Sequence, residues 1–235
     1  MSSTASSRIS ASFGFLLLAG CATQPAKPTL LFQDDFRSLD QWVIEAEQPA
    51  RLSVDNGSFD IDTPAGLTLW FRPRLDGPVK IEFDATAIAQ GGANDQVSDL
   101  NVFWMAANTD GSVPFQPGPS QRSGQFAEYN NLLTYYVGLG GNRNTTTRFR
   151  RYIGDPAIRP LLPEHDLDTR DALLVPNRRQ TITLVADGTR IEFQRDGRVL
   201  FRYEDAAPYA RGWFALRTTF SHLRVERLRI YSLLR

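Results

Sequence analysis

The 235-residue chain has one cysteine, two histidines, two methionines and two lysines. A lone thiol, Cys21, excludes an internal disulfide and a cysteine-based metal centre, and its position near the N-terminus leaves the rest of the chain without a thiol nucleophile. Two histidines, His165 and His222, with scattered acids do not make a zinc signature. There is no Gly-x-Ser-x-Gly elbow, no phosphate-loop spacing among the glycines, and no strand bearing the paired carboxylates of glycoside hydrolysis. No apolar run approaches the roughly 20 residues that span a bilayer. Positive charge is not in excess: 26 basic residues balance 26 acidic ones. A general nucleic-acid surface is therefore not expected. Arginine supplies almost all the positive charge, so these groups should be paired or used locally.

The N-terminus carries Arg8, a short apolar stretch Phe13–Leu18, and then Ala19, Gly20 and Cys21. That order reads as a secretion signal over residues 1–20. Leu18–Cys21 resembles a lipobox, which implies cleavage before Cys21 and a lipid anchor on its thiol. Alanine rather than aspartate at position 22 implies transport to the outer membrane, with the protein on the periplasmic or surface side. Residues 21–29 hold two prolines and read as a tether, leaving residues 30–235 as one domain, large enough for a substantial core.

That domain shows no long helical period. It consists of short segments with apolar residues at every second place, broken by Gly, Asn, Asp and Pro. Arg51–Asp55 and Ser58–Asp62 flank Asn56-Gly57 and predict a hairpin. The same alternation recurs at Leu67–Arg72, Val79–Ala85, Leu100–Met105, Leu133–Gly138 and Thr146–Tyr152. It returns at Gln180–Ala186, Arg190–Arg195, Val199–Tyr203, Gly212–Arg217 and Leu223–Tyr231. About twelve strands with glycine-rich turns predict an all-β sandwich or barrel. Two long connections, Ala106–Asn131 and Ile158–Asn177, are candidates for functional loops.

The segments Asp34-Asp35-Phe36, Trp42, Leu52–Gly57 and Leu67–Trp70 resemble the opening of concanavalin-A-like jelly-roll sandwiches. Arg195–Arg198, Gly212–Arg217 and Val225–Ile230 resemble their closing strands. The outline is also similar to bacterial keto-disaccharide hydrolases and jelly-roll polysaccharide lyases. Asp99–Met105, Tyr135–Asn142 and Asn144–Tyr152 resemble a family of exported bacterial domains of unassigned function, grouped with systems that degrade pectin and other uronic-acid polymers. The resemblance implies a jelly-roll β-sandwich of two antiparallel sheets over residues 30–235 and a carbohydrate partner.

The chemistry-bearing residues follow from strand alternation. In an extended Thr146–Tyr152, Arg148, Arg150 and Tyr152 share one face. Two guanidinium groups on one face repel unless an anion lies between them, and arginine grips carboxylates with two parallel hydrogen bonds. The face is either a site for an acidic sugar or a solvated surface paired with acids such as Asp155 or Asp99. Asp99 and Asn101 precede Phe103 on one face, offering polar groups beside an aromatic platform for a sugar. Trp104 belongs to the same segment and is a further candidate contact. Tyr135 and Tyr136 point to opposite faces, so one is core and the other can line a cleft. Asn142 and Asn144 either contact ligand or serve the turn. His222 is a candidate acid or base at a strand boundary.

These readings favour a lyase that cleaves a uronic-acid glycan by β-elimination. Arg148, Arg150, Tyr136, Tyr152 and His222 would be catalytic; Asp99, Asn101, Trp104, Tyr135, Asn142 and Asn144 would bind substrate. A keto-glycoside hydrolase of the same fold and a non-catalytic surface glycan-binding protein are the alternatives. No cofactor is required; a structural calcium at Asp34, Asp35 or nearby carbonyls would be compatible with the fold. A monomer is expected.

Overall fold

The computed structural model describes residues 28–116, 121–158 and 165–234. Cys21 and the leader lie outside these residues, as do Glu164 and most of the long connection before it. The described chain forms β1 (Thr29–Asp34), β2 (Trp42–Ala46), β3 (Arg51–Asp55), β4 (Ser58–Thr63), β5 (Leu67–Phe71), β6 (Leu75–Asp76), β7 (Val79–Ala87) and β8 (Leu100–Ala107). It continues with β9 (Leu133–Gly140), β10 (Thr146–Ile153), β11 (Asp166–Leu167), β12 (Gln180–Asp187), β13 (Arg190–Arg195), β14 (Arg198–Glu204), β15 (Arg211–Thr218) and β16 (Ser221–Ser232).

Two eight-stranded antiparallel sheets face one another. The first runs β14-β13-β12-β7-β16-β4-β3, with β1 also on β16. The second runs β11-β10-β9-β8-β15-β5-β2, with β6 also on β15. The strands read from alternation are all present. Of the four further ones, β6 and β11 are two residues long, β1 is largely exposed and β2 is buried along most of its length, so each carries a weak periodic signal. The Asn56-Gly57 and Asp196-Gly197 turns have both residues at positive φ, the backbone that two-residue hairpins need.

The core between the sheets is apolar. Phe59, Ile81, Phe83, Leu184 and Phe193 come from the first sheet, and Leu69, Val102, Trp104, Tyr135, Val137 and Phe214 from the second. A second apolar cluster lies on the outer face of the second sheet. There Trp70, Phe103, Tyr136, Tyr152 and Ala215 are covered by Phe115, Tyr129 and Leu132 from the β8–β9 connection. That connection is therefore packed down over half of an outer sheet face, which leaves the other half open.

Asp34 and Asp35 are used within the fold. The Asp34 carboxylate accepts from the Phe36 amide and from Trp42 Nε1 at 2.7 and 2.8 Å. Asp35 pairs with Arg229 at 2.7 Å.

A candidate functional cleft on the outer sheet face

Strand register sets the outer face of the second sheet into two neighbouring rows. One row pairs Asp166, Arg148, Gly138, Asn101, Arg217, Thr68 and Glu45 across seven strands. The next row, two residues along each strand, pairs Arg150, Tyr136, Phe103, Ala215, Trp70 and Val43. The first row is polar and the second is largely aromatic. The β8–β9 connection roofs the aromatic row and the Arg217, Thr68 and Glu45 end of the polar row, and the rest of the polar row becomes the floor of a cleft of about 350 Å³. That volume lies at the small end of ligand pockets. Glu47, Asp99, Asn101, Phe126, Tyr136, Asn142, Arg148, Arg150 and Arg217 line it.

Gly138 is the low point of the floor. A Cβ there would stand 2.7 Å from the Tyr136 hydroxyl and 3.2 Å from Asn101 Oδ1. The missing side chain is the space into which both polar atoms project. Asn101 is 3% exposed. Its amide nitrogen donates to Asp99 Oδ1 at 3.3 Å, while Oδ1 has no hydrogen-bond partner among the described residues. A buried acceptor without a partner is costly unless something supplies a donor.

Three arginines surround this floor. Arg148 and Arg150 share the carboxylate of Asp166, at 3.5 and 2.9 Å. Two cations on one anion leave net positive charge at that wall. Arg217, opposite, is buried and donates through Nη1 to Thr68 Oγ1 and to the Gly124 carbonyl, both at 2.8 Å. Its guanidinium also lies over the rings of Tyr129 and Phe126, at 5.0 and 5.1 Å. No carboxylate of the described residues is within ion-pair distance of Arg217. Burial lowers its proton affinity, against the pull of Tyr129, Tyr136 and the nearby acids.

Asp99 sits at positive φ where β8 begins. Burial raises its pKa above the usual carboxylate range, outweighing the hydrogen bonds from Ser98 and Asn101. Burial likewise pushes the Tyr136 phenol well above its ordinary value, so it is a neutral hydroxyl.

The candidates read from strand alternation divide on this geometry. Arg148, Arg150, Tyr136, Asp99, Asn101 and Asn142 meet at the cleft. The acid paired with the two arginines is Asp166, rather than Asp99 or Asp155. Trp104 does not reach the cleft: the alternation that puts Asn101 and Phe103 outside turns Trp104 into the core between the sheets. Tyr135 is the core member of its pair, and its hydroxyl donates to Asp205 at 2.7 Å. Tyr152 shares the arginine face but is buried under the roof, against Tyr136 and Phe103. Asn144 serves the turn, its side chain bonding both ways to the Leu174 backbone. It follows Asn142 and Arg143 in a left-handed stretch, a conformation that asparagine tolerates best among residues with a side chain. His222 lies on the first sheet, its two ring nitrogens each 2.8 Å from Asp95 and Asp60.

Arg217, Glu47, Phe126 and Gly138 are the contributors that sequence reading missed. Arg217 alternates correctly within Gly212–Arg217, but only strand register brings β15 beside β8. Phe126 belongs to the roofing connection, whose fold has no periodic signal.

The fold has solved counterparts. A Bacillus subtilis protein of unknown function with a galectin-like fold superposes with a TM-score of 0.67 at 15% identity, covering 87% of this chain and 96% of its own. The carbohydrate-binding module CBM66 of Bacillus subtilis matches with a TM-score of 0.54 at 10% identity, covering 82% and 96%. A LamA variant from Zobellia galactanivorans, solved with laminaritriose and laminaritetraose, matches with a TM-score of 0.55 at 10% identity, covering 87% and 99%. At these identities the likeness is one of fold. No curated protein matches the chain. The family described as Domain of unknown function (DUF6250) matches residues 61–228.

Proposed function

This chain belongs to the family described as Domain of unknown function (DUF6250), and we propose that it is a carbohydrate-active protein whose cleft takes an acidic sugar and cleaves its glycan by β-elimination. The observation that carries this reading is the convergence of Arg148, Arg150 and Arg217 with Asn101 and Tyr136 around one hollow above Gly138. Two solved proteins of this fold, a carbohydrate-binding module and a LamA variant with bound oligosaccharides, are support of a coarser kind.

A uronate carries its carboxylate on C5. Arginine N–H groups neutralise that carboxylate, so that charge can spread onto it as the C5 proton leaves. Asp99, whose proton affinity burial raises above that of an ordinary carboxylate, accepts the proton. The C–H electron pair becomes the C4–C5 double bond as the C4–O bond breaks. The neutral Tyr136 phenol gives its proton to the departing oxygen. Return of the proton from Asp99 to Tyr136 restores the site.

A binding protein without catalysis is the second reading. Neither histidine lines the cleft, and the Asp99 carboxylate is already engaged by Ser98 and Asn101. Incubation of the domain with pectate, alginate, glucuronan and ulvan separates the two. Elimination creates a conjugated double bond, read as a rise in ultraviolet absorbance. A rise supports the lyase; binding with no rise supports the second reading; neither binding nor a rise on any acidic polymer removes both. Leu18–Cys21 supports an exported, lipid-anchored protein at the outer membrane, testable by the mass of the mature N-terminus.

A further inference from the structure

The two cationic walls of the cleft are held apart, and this bears on the charge of the ligand. Arg148 and Arg217 lie in one cross-strand row, on β10 and β15, with β9 and β8 between them. Three strand spacings put their backbones roughly 14 Å apart. Their polar contacts draw the side chains further outward. Arg148 and Arg150 lean on Asp166 of β11, on the far side of β10. Arg217 is tied to Thr68 of β5 and to Gly124 of the roof, on the far side of β15. One carboxylate cannot serve both walls.

Each wall nevertheless has unused capacity. At the first, one carboxylate faces two guanidinium groups. At the second, Arg217 spends only Nη1 within the protein. Its Nε and Nη2 donors have no acceptor among the described residues, and they form the edge that takes a carboxylate through two parallel hydrogen bonds. Arg217 is 4% exposed, and a cation this buried normally has an anion beside it. The cleft's own acids, Glu47 and Asp99, act on it only from beyond ion-pair distance. Glu47 accepts from the Gly66 amide at 3.0 Å, and Asp99 is bonded to Ser98 and Asn101. Between the walls the floor is uncharged: Gly138, the Tyr136 hydroxyl and the unpartnered Asn101 Oδ1, an acceptor suited to a sugar hydroxyl.

We propose that the cleft recognises a dianionic disaccharide, two consecutive uronate residues, with one carboxylate at Arg148 and Arg150, the other at Arg217, and a ring hydroxyl on Asn101 Oδ1. This rests on the acidic-sugar reading above and deepens it, by assigning Arg217 to a second subsite.

Calorimetric titration of the whole domain tests it, using methyl galacturonoside, digalacturonate, and digalacturonate methyl-esterified on one ring or the other. Digalacturonate should bind roughly 10- to 100-fold more tightly than the monosaccharide, the gain expected from one added charge-assisted pair. Esterifying either ring should remove most of that gain. Arg217→Met should lower affinity for digalacturonate by a similar factor. Because Arg217 also ties down the roof, the esterified ligands on the unmutated protein give the same answer without a variant. Equal affinity for monosaccharide and disaccharide, or no penalty from either ester, overturns the dianion proposal and leaves the acidic-sugar reading standing. Failure of every uronate ligand to bind overturns both.

Discussion

The hydroxyl of Tyr136 stands 2.7 Å from where a Cβ on Gly138 would lie. Adding one methyl group there must move the phenol or the backbone, because Asn101 Oδ1 also stands 3.2 Å away. Gly138→Ala is expected to abolish acidic-sugar binding or turnover. It should cost about 1–3 kcal/mol of stability, the usual range for overpacking. Calorimetry with a uronate and thermal unfolding, run on one preparation, would read both; unchanged ligand affinity would take Tyr136 and Gly138 out of the site.

Arg148→Ala is expected to lower turnover on the preferred acidic polymer through the loss of about 2–4 kcal/mol of transition-state stabilisation, the scale of one donor to a developing oxyanion. Arg148 is nearly half exposed and shares Asp166 with Arg150, so the fold should tolerate the change. Rates measured from the absorbance of the unsaturated product check this, and a rate within twofold of the parent would assign the grip at that wall to Arg150 alone.

Trp104 should matter for stability and not for ligand. It is fully buried, its ring tilted against those of Tyr135 and Phe149. Trp104→Ala is expected to cost about 3–5 kcal/mol, measured by denaturant unfolding. The milder Trp104→Phe should leave uronate affinity within error; a loss of affinity with the fold intact would return Trp104 to the list of ligand contacts.

His222 makes stability depend on pH near neutrality. Burial alone would depress its pKa, but hydrogen bonds to Asp95 and Asp60 more than offset this and hold it above its usual value. A base with a raised folded-state pKa contributes stability that is complete below its unfolded pKa of about 6.5 and is lost as pH rises through the folded value. Melting temperature should therefore fall over that window. His222→Gln should be less stable than the parent on the acid side and flat across the window; an identical pH profile in the two proteins would refute the linkage.

Glu45 gives the matching prediction under the roof. It is fully buried, accepting from Trp70 Nε1 and the Tyr129 hydroxyl, each at 2.8 Å. Burial raises its pKa, outweighing those hydrogen bonds. The folded state thus binds this proton more tightly than the unfolded chain, and stability declines as pH rises from about 4.3 through the raised value. Glu45→Gln keeps an oxygen acceptor and removes the charge. Its unfolding free energy, followed by urea titration from mildly acidic to neutral pH, should lack that decline.

The sandwich could be read from the chain because period-two alternation and Asn-Gly or Asp-Gly turns are local signals. The same alternation placed Arg148 with Arg150, and Asn101 with Phe103, on shared faces. It also held the information that Trp104 points the other way, since Trp104 is the immediate neighbour of Phe103. The cleft itself depended on register, which is not local. Nothing in the sequence order sets Gly212–Arg217 beside Leu100–Ala107, and so alternation alone does not bring Arg217 to the cleft or set His222 on the opposite sheet. The pairing of Arg148 and Arg150 with Asp166 was hidden for a related reason. β11 is two residues long and follows a connection with no repeating pattern.

The two rows on the outer face give the sheet a division along its strands. The roofed row is built of large side chains that hold the β8–β9 connection in place. The open row contributes little to that packing: at Gly138 it offers no side chain, and at Arg148 only an ion pair at the surface. Substitutions at the exposed end of the open row, as at Arg148, can accumulate with small effect on folding, whereas those in the roofed row cannot. One scaffold can in this way be refitted to a different sugar by exchanging a single line of residues, and proteins that share the architecture can diverge first along that line.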